Sequence, residues 1–223
     1  PIQIGALTTW NQIACGVYHV YASTTSGVLY SWGSNDKGQL GNGSTIYYSS
    51  PIQVGALTTW KQLGIGQYHD TAVKTDGTLW SWGNGPFGGL GNGTLANYSS
   101  PIQVGALTNW KQVCSGNYFT SAIKTDSTLW SWGTNIYGGL GNCTTANATL
   151  ITYSSPIQVG ALTNWSSVAC AYNVTLTTKT DGTLWAWGYN AYGQLGNGTT
   201  TSYSSPIQIG SLTNWSSISF DYW

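Results

Sequence analysis

Arginine, glutamate and methionine are missing altogether from this chain, and only 5% of its 223 residues are charged. Soluble domains ordinarily carry about a quarter charged residues, so Ser, Thr, Asn, Gly and Tyr must form the surface here. Six Lys balance six Asp, leaving a formal net charge of zero. Binding nucleic acid without sequence specificity requires Lys and Arg to displace counterions from phosphates. Six scattered Lys are too few, and no nucleic-acid partner is expected. Without Glu, and with no recurring grouping of Ser, His and Asp, there is little from which to build a catalytic constellation. The chain does not read as an enzyme, and nothing in it calls for a cofactor or a metal. No apolar run approaches the roughly 18–20 residues of a membrane-spanning helix, so membrane insertion is not expected. A neutral surface is a solubility hazard for a free monomer. Glycan cover, ordered self-assembly or anchoring in a larger object would each relieve it.

What the chain does have is repetition. Pro-Ile-Gln recurs at Pro1, Pro51, Pro101, Pro156 and Pro206, with nearly everything between recurring too. The copies run 1–50, 51–100, 101–155 and 156–205, with residues 206–223 as part of a fifth. The third copy carries extra length between Asn142 and Ser155, in the connection before Pro156. A unit of this size is normally one supersecondary element that buries its apolar face only by stacking on its neighbours. One continuous array is expected, not separate domains.

Within a copy the periodicity is that of strands. In the second copy Trp60–Gly66 alternates and then reaches Gly, and Thr71–Lys74 is a second short strand. Asp76-Gly77 supplies a tight hairpin turn, Leu79–Trp82 is a third strand, and a fourth starts at Pro101. No helical period appears. Four short strands in about fifty residues is the signature of a β-propeller blade, so the fold expected is all-β: four full blades and part of a fifth, an incomplete or open propeller.

Gly66-Gln67-Tyr68-His69, then Lys74-Thr75-Asp76-Gly77-Thr78-Leu79-Trp80-Ser81-Trp82-Gly83, then Gly89-Leu90-Gly91-Asn92-Gly93, resemble the repeat of the regulator-of-chromosome-condensation family. The resemblance covers the whole chain. It implies a β-propeller, usually of seven blades, and the wording of these copies is most similar to secreted and surface members from bacteria.

Asn42, Asn92, Asn97, Asn142, Asn147, Asn164, Asn173, Asn197 and Asn214 each have Ser or Thr two residues on, making nine of sixteen Asn glycosylation sequons. A chain about one quarter Ser plus Thr would give roughly four by chance. Asn-Gly also makes turns for its own sake. The sequons in the connections, with Asn173, are the modification candidates; Asn164 and Asn214 lie beside repeated Trp and are weaker ones. The regular placement of Trp32, Trp80, Trp82, Trp130, Trp132, Trp185 and Trp187 reads as core between blades. His19 and His69 share a register with Phe119 and Val174, which suits contact with a neighbouring blade and not metal or acid–base chemistry. Cys15, Cys114, Cys143 and Cys170 permit three full pairings. Cys114–Cys143, within one copy, is a disulfide to test against four free thiols.

The function expected is that of a non-enzymatic, extracellular or cell-surface structural or adhesive protein, its repeats assembled into a larger structure such as a glycosylated fibre. Its partners would be itself or further repeats of a longer chain. A secreted propeller that binds a protein or glycan is the alternative. Nucleotide exchange on a small GTPase, the activity for which the family is named, fits less well because charged contacts are scarce.

Overall fold

A computed structural model describes residues 3–5, 7–56, 58–144 and 151–219. The described residues form sixteen strands in four antiparallel four-stranded sheets, each laid out in chain order. The first blade comprises β1 (Trp10–Cys15), β2 (His19–Thr24), β3 (Leu29–Gly33) and β4 (Tyr48–Gln53). The second comprises β5 (Trp60–Ile65), β6 (His69–Lys74), β7 (Leu79–Gly83) and β8 (Tyr98–Gln103). The third comprises β9 (Trp110–Ser115), β10 (Phe119–Lys124), β11 (Leu129–Thr134) and β12 (Thr152–Gln158). The fourth comprises β13 (Trp165–Ala171), β14 (Val174–Lys179), β15 (Leu184–Gly188) and β16 (Tyr203–Gln208). The all-β, open-propeller reading holds.

Blade boundaries are offset from the repeat boundaries. The fourth strand begins ahead of the Pro, at Tyr98 in the second blade, and Pro-Ile-Gln closes a blade instead of opening one. Pro is tolerated because this is an edge strand. Residues 206–208 accordingly belong to β16. Beyond it, residues 209–219 form no strand, although the Trp215 N–H donates to the Gly182 carbonyl as Trp165 does to Ser127. An inner strand gains its ladder only from a hairpin partner, and residues 220–223 lie outside the described part.

Alternation survives poorly in the middle strands, because both faces of a blade are covered. All six residues of β6 are buried, the polar His69, Asp70 and Thr71 included. Three hydrophobic clusters sit between successive blades. Tyr21 and Leu29 of the first blade meet Trp60 and Trp82 of the second; Leu79 meets Trp110 and Trp132; Leu129 meets Trp165 and Trp187. The core is therefore a series of blade junctions.

Trp82, Trp132 and Trp187 are fully buried at these junctions, each with its indole N–H donating to the preceding blade. Trp132 and Trp187 reach the carbonyls of Gly89 and Gly139 at 2.8 Å, and Trp82 reaches the Tyr21 hydroxyl and the Gln39 carbonyl. Gly91 (φ 70°) has no room for a Cβ against the Trp132 ring, which accounts for glycine in that connection. Trp80, Trp130 and Trp185 are half-buried and donate to Thr78, Thr128 and Thr183 of their own hairpins. Trp32 is only half-buried, because no blade among the described residues lies against the first blade's outer face.

Candidate functional site

The chemistry of this chain is concentrated where blades meet. The first residues of each second strand reach across to the next blade. At the first junction the His19 Nε2 lies 3.0 Å from both carboxylate oxygens of Asp70, with both side chains at 0% exposure. The Gly66 N–H donates to the same carboxylate. Burial raises the Asp70 carboxyl above its usual range, with His19 opposing the shift. At the second junction His69 shares a 2.8 Å hydrogen bond with Thr120, whose hydroxyl donates to the Gly89 carbonyl. Burial, with His19 as the lesser cause, pushes His69 down to about 4, so it is neutral at physiological pH. At the third junction Phe119 takes the histidine's register and Thr175 bonds to Gly139. One position thus carries a histidine–carboxylate contact, a histidine–hydroxyl hydrogen bond and an apolar ring in turn.

The third junction is also covalent. Cys114 of β9 is bonded to Cys170 of β13, with 5.4 Å between their Cα atoms. The expected Cys114–Cys143 pairing is corrected by this. First strands of adjacent blades run close together, whereas Cys143 sits in an outer connection, bonded through its backbone to Ser204. Cys15 and Cys143 are free and exposed. Cys143 holds φ 64° where Gly43, Gly93 and Gly198 stand in the other copies.

A second recurring group lies on each hairpin of blades two to four. Lys74, Lys124 and Lys179 place Nζ 3.5–3.6 Å from the centroids of Trp80, Trp130 and Trp185. They are about 5 Å from Trp60, Trp110 and Trp165. Burial lowers each ammonium from its usual value, and the aspartate two residues on opposes this. Those aspartates, Asp76, Asp126 and Asp181, cap their own turns through the Thr two residues on, which pulls their carboxyls down.

The sequons separate by position. Asn92, Asn42, Asn142 and Asn197 are partly exposed in connections, and Asn97 is exposed. In the first four, Oδ1 accepts bonds from the backbone and hydroxyl of the Ser or Thr two residues on. Asn173 is a correction: it is 5% exposed, its carbonyl accepting the Tyr189 N–H, and the folded blade leaves no room for a glycan there. Asn147 lies outside the described residues. Among the described residues no three His, Cys, Asp or Glu gather to hold a metal, and no helix is long and apolar enough to cross a membrane.

Asp70 was missed by sequence reasoning, although a signal existed. Its column otherwise reads Val20, Thr120 and Thr175, so a lone carboxylate directly after a histidine stands out.

The solved structures this chain is similar to share its architecture. Human WBSCR16 matches with a TM-score of 0.82 and 23% identity, over 94% of this chain and 55% of that one. Yeast RCC1 (Prp20), solved bound to Kap60, matches at 0.81 and 20%, over 93% and 50%. Prp20p of Saccharomyces cerevisiae, studied for its binding to Gsp1p and histones, matches at 0.82 and 20%, over 95% and 53%. The chain spans about half the length of these proteins, and the likeness shows the fold. The regulator of chromosome condensation (RCC1) repeat matches residues 26–73, 76–123, 126–177 and 181–220, with a variant of it matching 10–39. On that coverage, this chain belongs to the regulator of chromosome condensation (RCC1) repeat family.

Proposed function

We propose that this chain is part of a non-enzymatic, extracellular structural protein of the secreted bacterial kind, glycosylated in its outer connections and assembled blade on blade into a larger surface structure. The observation that carries the reading is the outer face of the first blade. Ile13 is 68% exposed there, whereas Val113 and Val168, at the same register, are 0% and 3% exposed beneath a preceding blade. Trp10, Ala22 and Trp32 complete the same surface and line a cleft of about 360 Å³. A face built like three covered faces is suited to take a further blade, whether from the same protein or from another copy. Exposed apolar patches on sheet proteins are otherwise aggregation hazards, and this chain has almost no charge with which to guard one. An interface of unlike faces that does not close on itself generates a filament. The Cys114–Cys170 bond supports an oxidising compartment.

Analytical ultracentrifugation tests the assembly. The chain should sediment as concentration-dependent multimers, and Ile13→Asp should shift it toward monomer without loss of β-sheet signal. A folded wild-type monomer across a hundredfold concentration range would reject the reading.

A further inference from the structure

Blades two to four differ in chemistry at their two ends. Each first strand runs toward the end that carries the turn into the second strand, and each third strand returns to it. Neighbouring blades hold these turns side by side, the Asn117 N–H donating to the Tyr172 carbonyl at 2.8 Å. The Lys and Asp of these blades lie at the opposite end. They sit in hairpins such as Lys74-Thr75-Asp76 and at the starts of first strands, as Lys61 and Lys111 do. Asp70 is the exception, and it is fully buried. The turn-bearing end of these three blades therefore has no charged group at its surface.

Aromatic side chains occupy that end instead. The rings of Tyr68 and Tyr118 stack with centroids 5.7 Å apart, and Phe87, from the connection after β7, lies 4.0 Å from Tyr118. One blade further on, Tyr137 lies 4.6 Å from Tyr189, and Tyr192 meets Tyr189 edge-on at 6.1 Å. Tyr172 stands between the two groups. Burial raises the Tyr118 phenol, with Tyr68 and Tyr172 adding to the shift. Partial burial raises that of Tyr189 too, with Tyr192, Tyr137 and Tyr172 as lesser causes. The result is one aromatic row across three blades. Tyr137, Tyr172 and Tyr192 are 43%, 48% and 85% exposed, so these rings are not spent on the core. Tyr172 also holds φ 32°, a conformation that bulky L residues rarely adopt. Backbone strain of this kind gathers at functional sites.

An exposed aromatic patch marks an interaction site, and tyrosine provides rigid contact area with a polar tip at low entropic cost. Without charge on the protein side, the ligand gains nothing from carrying any. It must offer flat, weakly positive C–H faces to the rings and hydroxyls to the phenols, repeated over the width of three blades. A polymer of hexopyranoses with equatorial hydroxyls has that pattern. We propose that the aromatic row centred on Tyr172 is a binding surface for a neutral polysaccharide of the β-linked glucan class, with Tyr137, Tyr172 and Tyr192 as its exposed contact rings. The first blade does not extend the row, since Lys37 stands there in the place of Phe87, Tyr137 and Tyr192. The surface is on an end of the array and not on a blade face, so it is available whether or not the chains assemble.

Affinity electrophoresis of the full chain tests this, in gels containing a soluble mixed-linkage β-glucan, the α-linked dextran, the charged polygalacturonate, or no polymer. The β-glucan gel should retard the chain most, and added salt should not release it, because no charge is screened. Tyr192→Ser, at a ring too exposed to support the fold, should weaken binding by roughly tenfold. Tyr172→Asn should do the same while the thermal midpoint holds or rises, since Asn tolerates positive φ. Lys111→Ser, at the opposite end, should leave retardation unchanged. Equal migration in the β-glucan and polymer-free gels would overturn the site. Retardation abolished by salt, or surviving both tyrosine variants, would overturn it too. A chain that ignores the glucan but binds another protein through Tyr172 and Tyr192 would make this a protein-docking surface and overturn the glucan assignment.

Discussion

The first and third junctions of this array share one backbone register and are held by opposite means. At the first, a contact of the His19 imidazole with the Asp70 carboxyl is sealed between blades, where loss of either partner strands the other. At the third, Phe119 stands in the histidine's place and the Cys114–Cys170 bond ties the inner strands. A buried polar contact of this kind fixes register but adds little net stability, because desolvation offsets most of its attraction. A disulfide acts chiefly by restricting the unfolded chain. The repeat therefore specifies where blades touch and leaves open which interaction fills the contact. The two histidine junctions should respond to pH, through Asp70 and His69, and the third to reductant.

Reduction should have the largest effect. Closing a loop with a sequence separation of 56 is worth about 4 kcal/mol on the chain-entropy account. Cys114→Ser with Cys170→Ser should lower the urea midpoint accordingly and remove its sensitivity to reductant. Equal midpoints with and without reductant in the parent chain would mean the apolar cluster alone holds the third junction. Next comes Asp70→Ala, expected to cost about 3 kcal/mol by stranding His19. Asp70→Thr should recover much of that by copying the His69–Thr120 bond of the second junction. If Thr is no better than Ala, the junctions are not interchangeable.

The smallest effect is the pH response. Unfolded, His69 takes up a proton near pH 6.5; folded, it does so only at about 4. Its stabilising contribution is therefore complete above about pH 6.5 and is lost as pH falls toward 4, by at most roughly 3 kcal/mol. Asp70, its carboxyl raised by burial, works the other way: its contribution grows as pH falls toward the unfolded-state value of 3.8. Thermal melts at pH 7 and pH 5 should show the parent chain losing more, or gaining less, than His69→Phe. Identical responses would show that His69 is not the titrating group.

Blade count, strand type and the hairpin turns were legible because they depend on local chemistry repeated from copy to copy. Asp76 caps its turn, as its position beside Gly77 suggested, and Asp126 and Asp181 do the same in the next two copies. What lay hidden depended on which strands become neighbours. Cys143 is nearer to Cys114 in sequence than Cys170 is, but inner strands of successive blades run side by side, and that adjacency decides the pairing. Asn173 carries a sequon as good as that of Asn92, and only its place at the start of a covered second strand buries it. Trp32 stands in the register of Trp82 and is only half-buried, no blade among the described residues lying in front of it. Repetition predicts the environment of a copy with a described blade in front of it better than that of one without.

That last difference is where the account is most exposed. If the outer face of the first blade is an unfilled junction, β1 should be the least protected inner strand in dilute solution and should gain protection when the chains associate. Amide hydrogen exchange resolved by mass spectrometry, run on peptides covering Trp10–Cys15 and Trp110–Ser115 over a range of protein concentrations, reads this directly. The account predicts fast exchange in the first peptide at low concentration, slowing at least tenfold on association, with the second peptide slow throughout. Protection of Trp10–Cys15 equal to that of Trp110–Ser115 in the monomer, or unchanged on concentrating, would contradict it.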